Sequence, residues 1–439
     1  MSNSKHSNLR NWLGFVLVFF ILNLASAVLA QSGFKVGAAK RVLTPDPLLP
    51  VSGGIGTPRP STVKNGDLWV RAMVMENNGT RVAFVGIDNL GWPAALGDKS
   101  RALIKGIPAE NILIGATHTH SGPDAYGFPN EKGEVNADFE YLNWCVQQIA
   151  DAVNEAVANL EAAELKTAVG EAKGKIAYNY YAPELYDPRC GVIQAFGTAG
   201  KNKGKVIATL VNYAIHPEVI GNGRGITSPD VCGPLYDRIE SQVGGIAIFV
   251  NGAQGGMITA DNRVSEGKEA SDYEECKRIG NLLADQALEI VSSAVPQTNP
   301  LIQNTSMQAD FSVDSPILQY ILQKSPHKYK VKAGNIVTTQ MNLVNVGTAQ
   351  ILTIPGEALP NLGFYLKRKM HTNQAFLFGL TNDAFGYILT EEDFNSFKRY
   401  EYVTRTSLGE KTGPALVEHS MKLIEKAPAS EGFAPAGSN

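Results

Sequence analysis

Three long segments carry apolar residues at steps of three and four. In "DFEYLNWCVQQIADAVNEAVANLEAA" Leu142, Cys145, Ile149, Val153, Val157 and Leu160 form one stripe, which predicts an amphipathic helix over 138–163. "DYEECKRIGNLLADQALEIVSSA" and "PALVEHSMKLIEKA" predict two more. Between them lie five runs of another kind: "NILIGATHTH", "KVIATLVNYAIHP", "GIAIFVNGAQGG", "AQILTIPGE" and "AFLFGLTND". Each is continuously apolar and β-prone, then breaks into polar residues and often glycine. A strand buried on both faces reads in this way. Strands alternating with helices predict an α/β fold, a single large catalytic domain built on a mixed β-sheet.

In open α/β sheets, ligands gather just beyond the carboxyl ends of the strands. The five predicted strand ends offer His118 and His120, His216, Asn251 and Gln254, Glu357, and Asn382 with Asp383. On an extended strand His118 and His120 share a face. Each residue has an ordinary explanation taken alone. His216 before Pro217 could merely end a strand, and Glu357 after Pro355 and Gly356 could face a helix dipole. Two imidazoles and a carboxylate are also a common shell for catalytic zinc, with a further position open. Zinc polarises a substrate carbonyl and lowers the pKa of bound water to about 7. His118, His216 and Glu357 lie 98 and 141 residues apart with no HExxH-type motif, so any such site is assembled by the fold alone.

The first thirty residues are set aside from this reading. Lys5 and Arg10 precede the apolar core "LGFVLVFFIL", and "ASAVLA" supplies small residues for cleavage after Ala30. That is the pattern of a signal peptide, with the protein secreted or periplasmic. A retained anchor is the alternative, but the apolar stretch is short for a bilayer core of about 30 Å. Cleavage removes two of 39 basic residues and none of the 42 acidic ones, for a net charge of −5. This balance excludes a nucleic-acid partner, which needs a concentrated basic surface. Cys145, Cys190, Cys232 and Cys276 form no CxxC pair, and export permits disulfides among them. The expected organisation is a catalytic domain over 31–426 and a flexible tail over 427–439, rich in Ala, Pro, Gly and Ser.

"ATHTHSGPDAYG" resembles the His-Thr-His-Ser-Gly-Pro signature of the neutral, non-lysosomal ceramidase family. Further segments are similar to that family in the same order. "VNYAIHPEVIG" matches the segment of its second zinc histidine, and "ILTIPGEALPNLGFYLKRK" its Pro-Gly-Glu segment. "LTNDAFGYILTEEDFNSFKRYEY" matches a late segment in which a tyrosine completes the metal shell. The resemblance runs from about Val36 to about Glu418 and so covers the catalytic part of the family. It implies a Zn2+ hydrolase that cleaves the N-acyl bond of ceramide or a related lipid amide. By the matched motifs, His118, His216, Glu357 and Tyr387 would hold the metal. His120 would exchange protons with the substrate, and Asn251 and Gln254 would lie on the substrate side. The partner is then a small-molecule or lipid substrate, reached through contact with a membrane surface.

Two departures bear on that implication. Where the family carries an aspartate and a catalytic serine, the loop "NGAQGGMITAD" has Gly256 and Ile258, with Thr259 and Asp261 nearby. Where the family has an arginine, Tyr180 stands, with Arg189 nine residues on. The metal set is untouched and ceramide handling is altered. Two alternatives therefore stay open: a zinc hydrolase for another amide or an ester, and a non-catalytic ligand-binding member of the family.

Overall fold

The computed structural model describes residues 33–434, apart from 55, 129–131 and 133. The segment read as a signal peptide lies outside the described residues. Eight strands form the larger sheet: β1 (Lys35–Val42), β2 (Trp69–Asn77), β3 (Thr80–Ile87), β4 (Ile112–Ala116), β5 (Glu161–Glu171), β6 (Arg189–Gly197), β7 (Val206–Tyr213) and β8 (Ile246–Asn251). Their order is β8-β7-β6-β5-β1-β2-β3-β4. The interior pairs are antiparallel, while β8 lies parallel to β7 and β4 parallel to β3. A second sheet contains β9 (Ile302–Ser312), β10 (Ile336–Val346), β11 (Ala349–Thr353) and, beyond the two-residue strand β12 (Glu357–Ala358), β13 (Gln374–Phe378). The fold is thus a mixed α/β one, as the alternation of patterns predicts.

Strand alternation builds the layers. On β1 and β2, Val36, Ala38, Met73 and Met75 face the second sheet and meet Val344, Ile351, Phe376 and Phe378. Their neighbours Ala39, Ala72 and Val74 face the other way. Among the described residues the helices are α1 (Ala94–Leu103), α2 (Phe139–Ala158), α3 (Cys232–Val243), α4 (Tyr273–Ser292), α5 (Pro316–Lys324), α6 (Pro360–Lys369), a short turn at Glu401–Arg405, and α7 (Thr412–Lys426). The stripe of α2 packs on Ala39, Ala72 and Val74, and α3 and α4 cover β6, β7 and β8. Leu362 and Leu366 of α6 and Leu416 and Leu423 of α7 close the second sheet's outer face. All four cysteines are buried and free, acting as small apolar residues.

Two expectations change. Helix α2 begins as its pattern predicts, with the Asp138 carboxylate accepting the Tyr141 N–H. It stops at Ala158, and "EAA" opens β5, because Ala163–Glu171 pair in register with β6. Tertiary pairing overrides a local propensity that would have carried the helix on. Part of the tail is also docked, as far as Phe433. Ser430 N–H donates to His371 O, Asn345 donates to Pro428 O, and Phe433 stacks on His371. Low apolar content does not prevent docking where backbone carbonyls find partners.

Candidate metal centre

The carboxyl ends of β4, β7, β8, β11 and β13 converge, and Asn251, at the end of β8, ties the loops after β4 and β7 together. Its amide donates to Thr117 O at 3.0 Å and Ile215 O at 2.7 Å, and its oxygen accepts from the Ile215 and Gly252 N–H groups. Asn251 is wholly buried in these bonds, so it holds two histidine loops instead of facing a ligand. Asn251→Ala leaves several buried backbone groups unpaired, each costing about 1–3 kcal/mol. We expect a loss of about 3 kcal/mol in urea unfolding with an unchanged slope. An unaltered midpoint would show that the clamp is dispensable.

Strand β4 ends at Ala116, so His118 and His120 sit in the loop beyond it and not on a shared strand face. His118 adopts φ of 71°, a left-handed conformation that costs a residue with a Cβ on the order of 1 kcal/mol or more. The loop is held there by Thr117 N–H on Ile87 O, His118 N–H on Asn89 O and the Thr119 hydroxyl on Ser228 O. Twisted in this way, the chain still brings the two imidazoles edge to face, with centroids 4.8 Å apart. His216 lies three residues past β7, its ring centroid 4.7 Å from that of His118.

Glu357 opens β12, which pairs in parallel with β14 (Tyr387–Ile388) and so sets Glu357 beside Tyr387. The backbones here touch so closely that only glycine fits at two points. A Cβ on Gly255 would lie 2.0 Å from Glu357 O, and one on Gly386 would lie 1.8 Å from Thr406 O.

The ring nitrogens sort the histidines. His118 Nδ1 bonds Leu90 O at 2.6 Å and His216 Nδ1 bonds Ile258 O at 2.8 Å. Both rings are therefore fixed as Nδ1–H donors to backbone carbonyls, leaving Nε2 free. That is the support found around metal-binding imidazoles. Glu357 Oε2 stands 3.4 Å from His118 Nε2 and 3.2 Å from His216 Nε2, is buried, and completes no hydrogen bond. Tyr387 Oη is 3.5 Å from His216 Nε2 and 3.3 Å from Met257 Sδ. Ligands about 2.0 Å from a tetrahedral zinc are separated by about 3.3 Å. The observed separations of 3.2, 3.4 and 3.5 Å are close to that spacing on three of the six edges of such a set. The donor set and its spacing therefore fit a metal ion.

His120 is held differently. Its Nδ1 lies 3.4 Å from Glu218 Oε2, while its Nε2 is buried without a partner. One ligand atom from each of His118, His120 and His216 lies within 4.8 Å of the others. Burial pushes the His120 imidazole down to about 3, the Glu218 carboxylate only partly opposing, so it is neutral at pH 7. Burial disfavours charge on Glu357 and Glu218 as well, but facing imidazoles outweigh it and hold both below the usual carboxylate range. For His216 the Glu357 carboxylate outweighs burial and raises the pKa.

Gln254 is fully buried, and neither polar atom of its side chain finds a partner. The side chain of Ile258 belongs to the core under α3 and α4, and its carbonyl orients His216. Thr259 lowers the pKa of Glu218 by hydrogen bonding. Asp261 is taken up by Arg263, Arg189 is clamped on Asp187 at 2.7 and 2.9 Å, and Tyr180 is exposed. Arg189 therefore does not fold back toward the metal centre. Asn382 binds Arg101, and Asp383 accepts the first N–H of α1. Glu218 and Tyr402 join the site without having been singled out from the sequence. Glu218 follows His216 by two residues in the same polar break, which is the one local signal it gives.

A cavity of about 530 Å³ opens at this centre, with His118, His120, Glu357, Tyr387 and Tyr402 in its wall. The remainder is largely apolar, including Leu90, Tyr126, Phe128, Leu318, Ile321 and Phe385. Such a shape suits a substrate with a polar reacting group and a hydrocarbon body.

The fold is shared with neutral ceramidases. The neutral ceramidase from Pseudomonas aeruginosa superposes with a TM-score of 0.73 at 17% identity, over 92% of this chain and 76% of that one. A ceramidase complexed with C2 gives a TM-score of 0.73 at 19% identity, over 92% and 77%. No protein-family profile matches the chain, and no curated protein does.

Proposed function

We propose that this protein is an exported zinc hydrolase that cleaves the N-acyl bond of ceramide or a related lipid amide. The observation that carries the reading is the set of donor separations near tetrahedral zinc spacing around a buried, unpartnered Glu357 Oε2, at the end of an apolar cavity. The fold shared with neutral ceramidases supports the same substrate class. His118, His216 and Glu357, with Tyr387, would hold the ion. Bound there, zinc would supply a Lewis acid for the amide carbonyl and make water acidic enough to act at neutral pH.

The protein's own residues supply positioning and proton transfer. The apolar wall receives the acyl chain and excludes water from the scissile bond. Glu218 faces Nδ1 of His120, which favours a proton there and leaves the Nε2 lone pair toward the cavity. His120 Nε2 takes a proton from the attacking water and delivers it to the departing nitrogen as the C–N bond breaks. The products are a carboxylic acid and an amine. No serine is needed, which accommodates the buried Ile258. The test is release of labelled fatty acid from ceramide: a zinc chelator should abolish it and added zinc restore it. Release that survives complete removal of metal would overturn the reading.

The three clustered imidazoles also allow a second arrangement, in which His120 is itself a ligand. Its Nδ1 on a carboxylate and its unpartnered Nε2 are compatible with that. Metal content of a His120 variant separates the two.

A further inference from the structure

The wall of the cavity includes exposed residues of α1 and of the segment that runs from α5 through residue 330. Lys99 of α1 and Lys328 and Lys330 of that segment are part of its wall. Lys324 stands at the end of α5 beside them. None of these four lysines has a hydrogen-bonding or ion-pairing acid among the described residues, and Asp98, the nearest acid along α1, is held by Arg101 at 3.0 Å. The inner residues of α5, Leu318, Ile321 and Leu322, line the cavity. Its adjoining outer face carries Ile317 and Tyr320, 43% and 49% exposed. Exposed apolar side chains on a short amphipathic helix, edged by unpaired lysines, have the character of an interfacial element.

We infer that α5 and the 325–330 segment form a docking face for an anionic lipid surface, with Ile317 and Tyr320 entering the acyl boundary and the lysines meeting the headgroups. The inference rests on the lipid-amide reading only for its purpose. An occupied bilayer at the mouth would let a hydrocarbon chain pass from membrane to cavity without crossing water. Charge complementarity selects a lipid surface bearing anionic headgroups, since among the described residues no acid pairs with these lysines to compete with it.

The test uses protein purified after export and sedimented with vesicles of phosphatidylcholine, with or without phosphatidylglycerol. Binding should require the anionic lipid and weaken with salt. Replacing Lys99, Lys328 and Lys330 by glutamine should weaken it about a hundredfold, roughly fivefold for each lysine near the surface. Ile317→Ser with Tyr320→Ser should weaken binding while leaving the melting temperature unchanged, because both side chains are exposed. Equal binding to neutral and anionic vesicles, or variants that bind like the parent, would overturn the docking face. No substrate turns over in this assay, so its failure would leave the hydrolase reading standing and the converse also holds.

Discussion

Glu357→Ala is expected to abolish zinc binding and to lower turnover by about a thousandfold or more, the scale of the charge stabilisation a metal supplies. The carboxylate is the hub of the centre: its Oε2 is within 3.4 Å of one free imidazole nitrogen and 3.2 Å of the other. Its removal leaves two imidazoles and a phenol whose ionisation burial strongly opposes. Without the carboxylate the ion would lose a ligand and a negative charge that offsets its own in a buried site. Melting provides a readout independent of substrate. Added zinc should raise the melting temperature of the parent, because a ligand that binds only the folded state stabilises it. The variant should show no such rise, and an equal rise would rule Glu357 out as a ligand.

His120→Ala should separate proton transfer from metal binding. We expect turnover to fall by about 10²–10⁴-fold, the usual contribution of a positioned acid–base group, with zinc retained and KM little changed. Glu218→Ala acts through His120 and should cost less, about tenfold, as partners that orient a ring do. Glu218→Gln keeps an acceptor facing Nδ1 and should recover part of that loss. If His120→Ala lost its zinc, the three-histidine arrangement would replace the one proposed here.

Much of the site was legible because buried parallel strands announce themselves as apolar runs that end abruptly. The breaks after Ala116, Tyr213, Asn251, Thr353 and Phe378 delivered every strand end that meets at the centre. Residue type at those breaks did not reveal the work done there. Asn251 stands at a break in an apolar run like His118 does, yet it spends its side-chain polar atoms on two neighbouring loops. Only the three-dimensional partners distinguish a clamp from a ligand. The turn at His118 was hidden for another reason: a left-handed residue with a Cβ is held by contacts from Asn89 and Leu90, far back in the chain. Glu218 was hidden because its importance depends on where His120 points. The end of α2 was hidden because pairing with β6, thirty residues on, decides it.

The most direct test of the metal centre is elemental analysis of three purified proteins side by side. The account predicts one zinc per chain in the parent and in His120→Ala, and none in Glu357→Ala. A parent without zinc after growth in zinc-replete medium, or a Glu357→Ala protein that keeps its zinc, would contradict it.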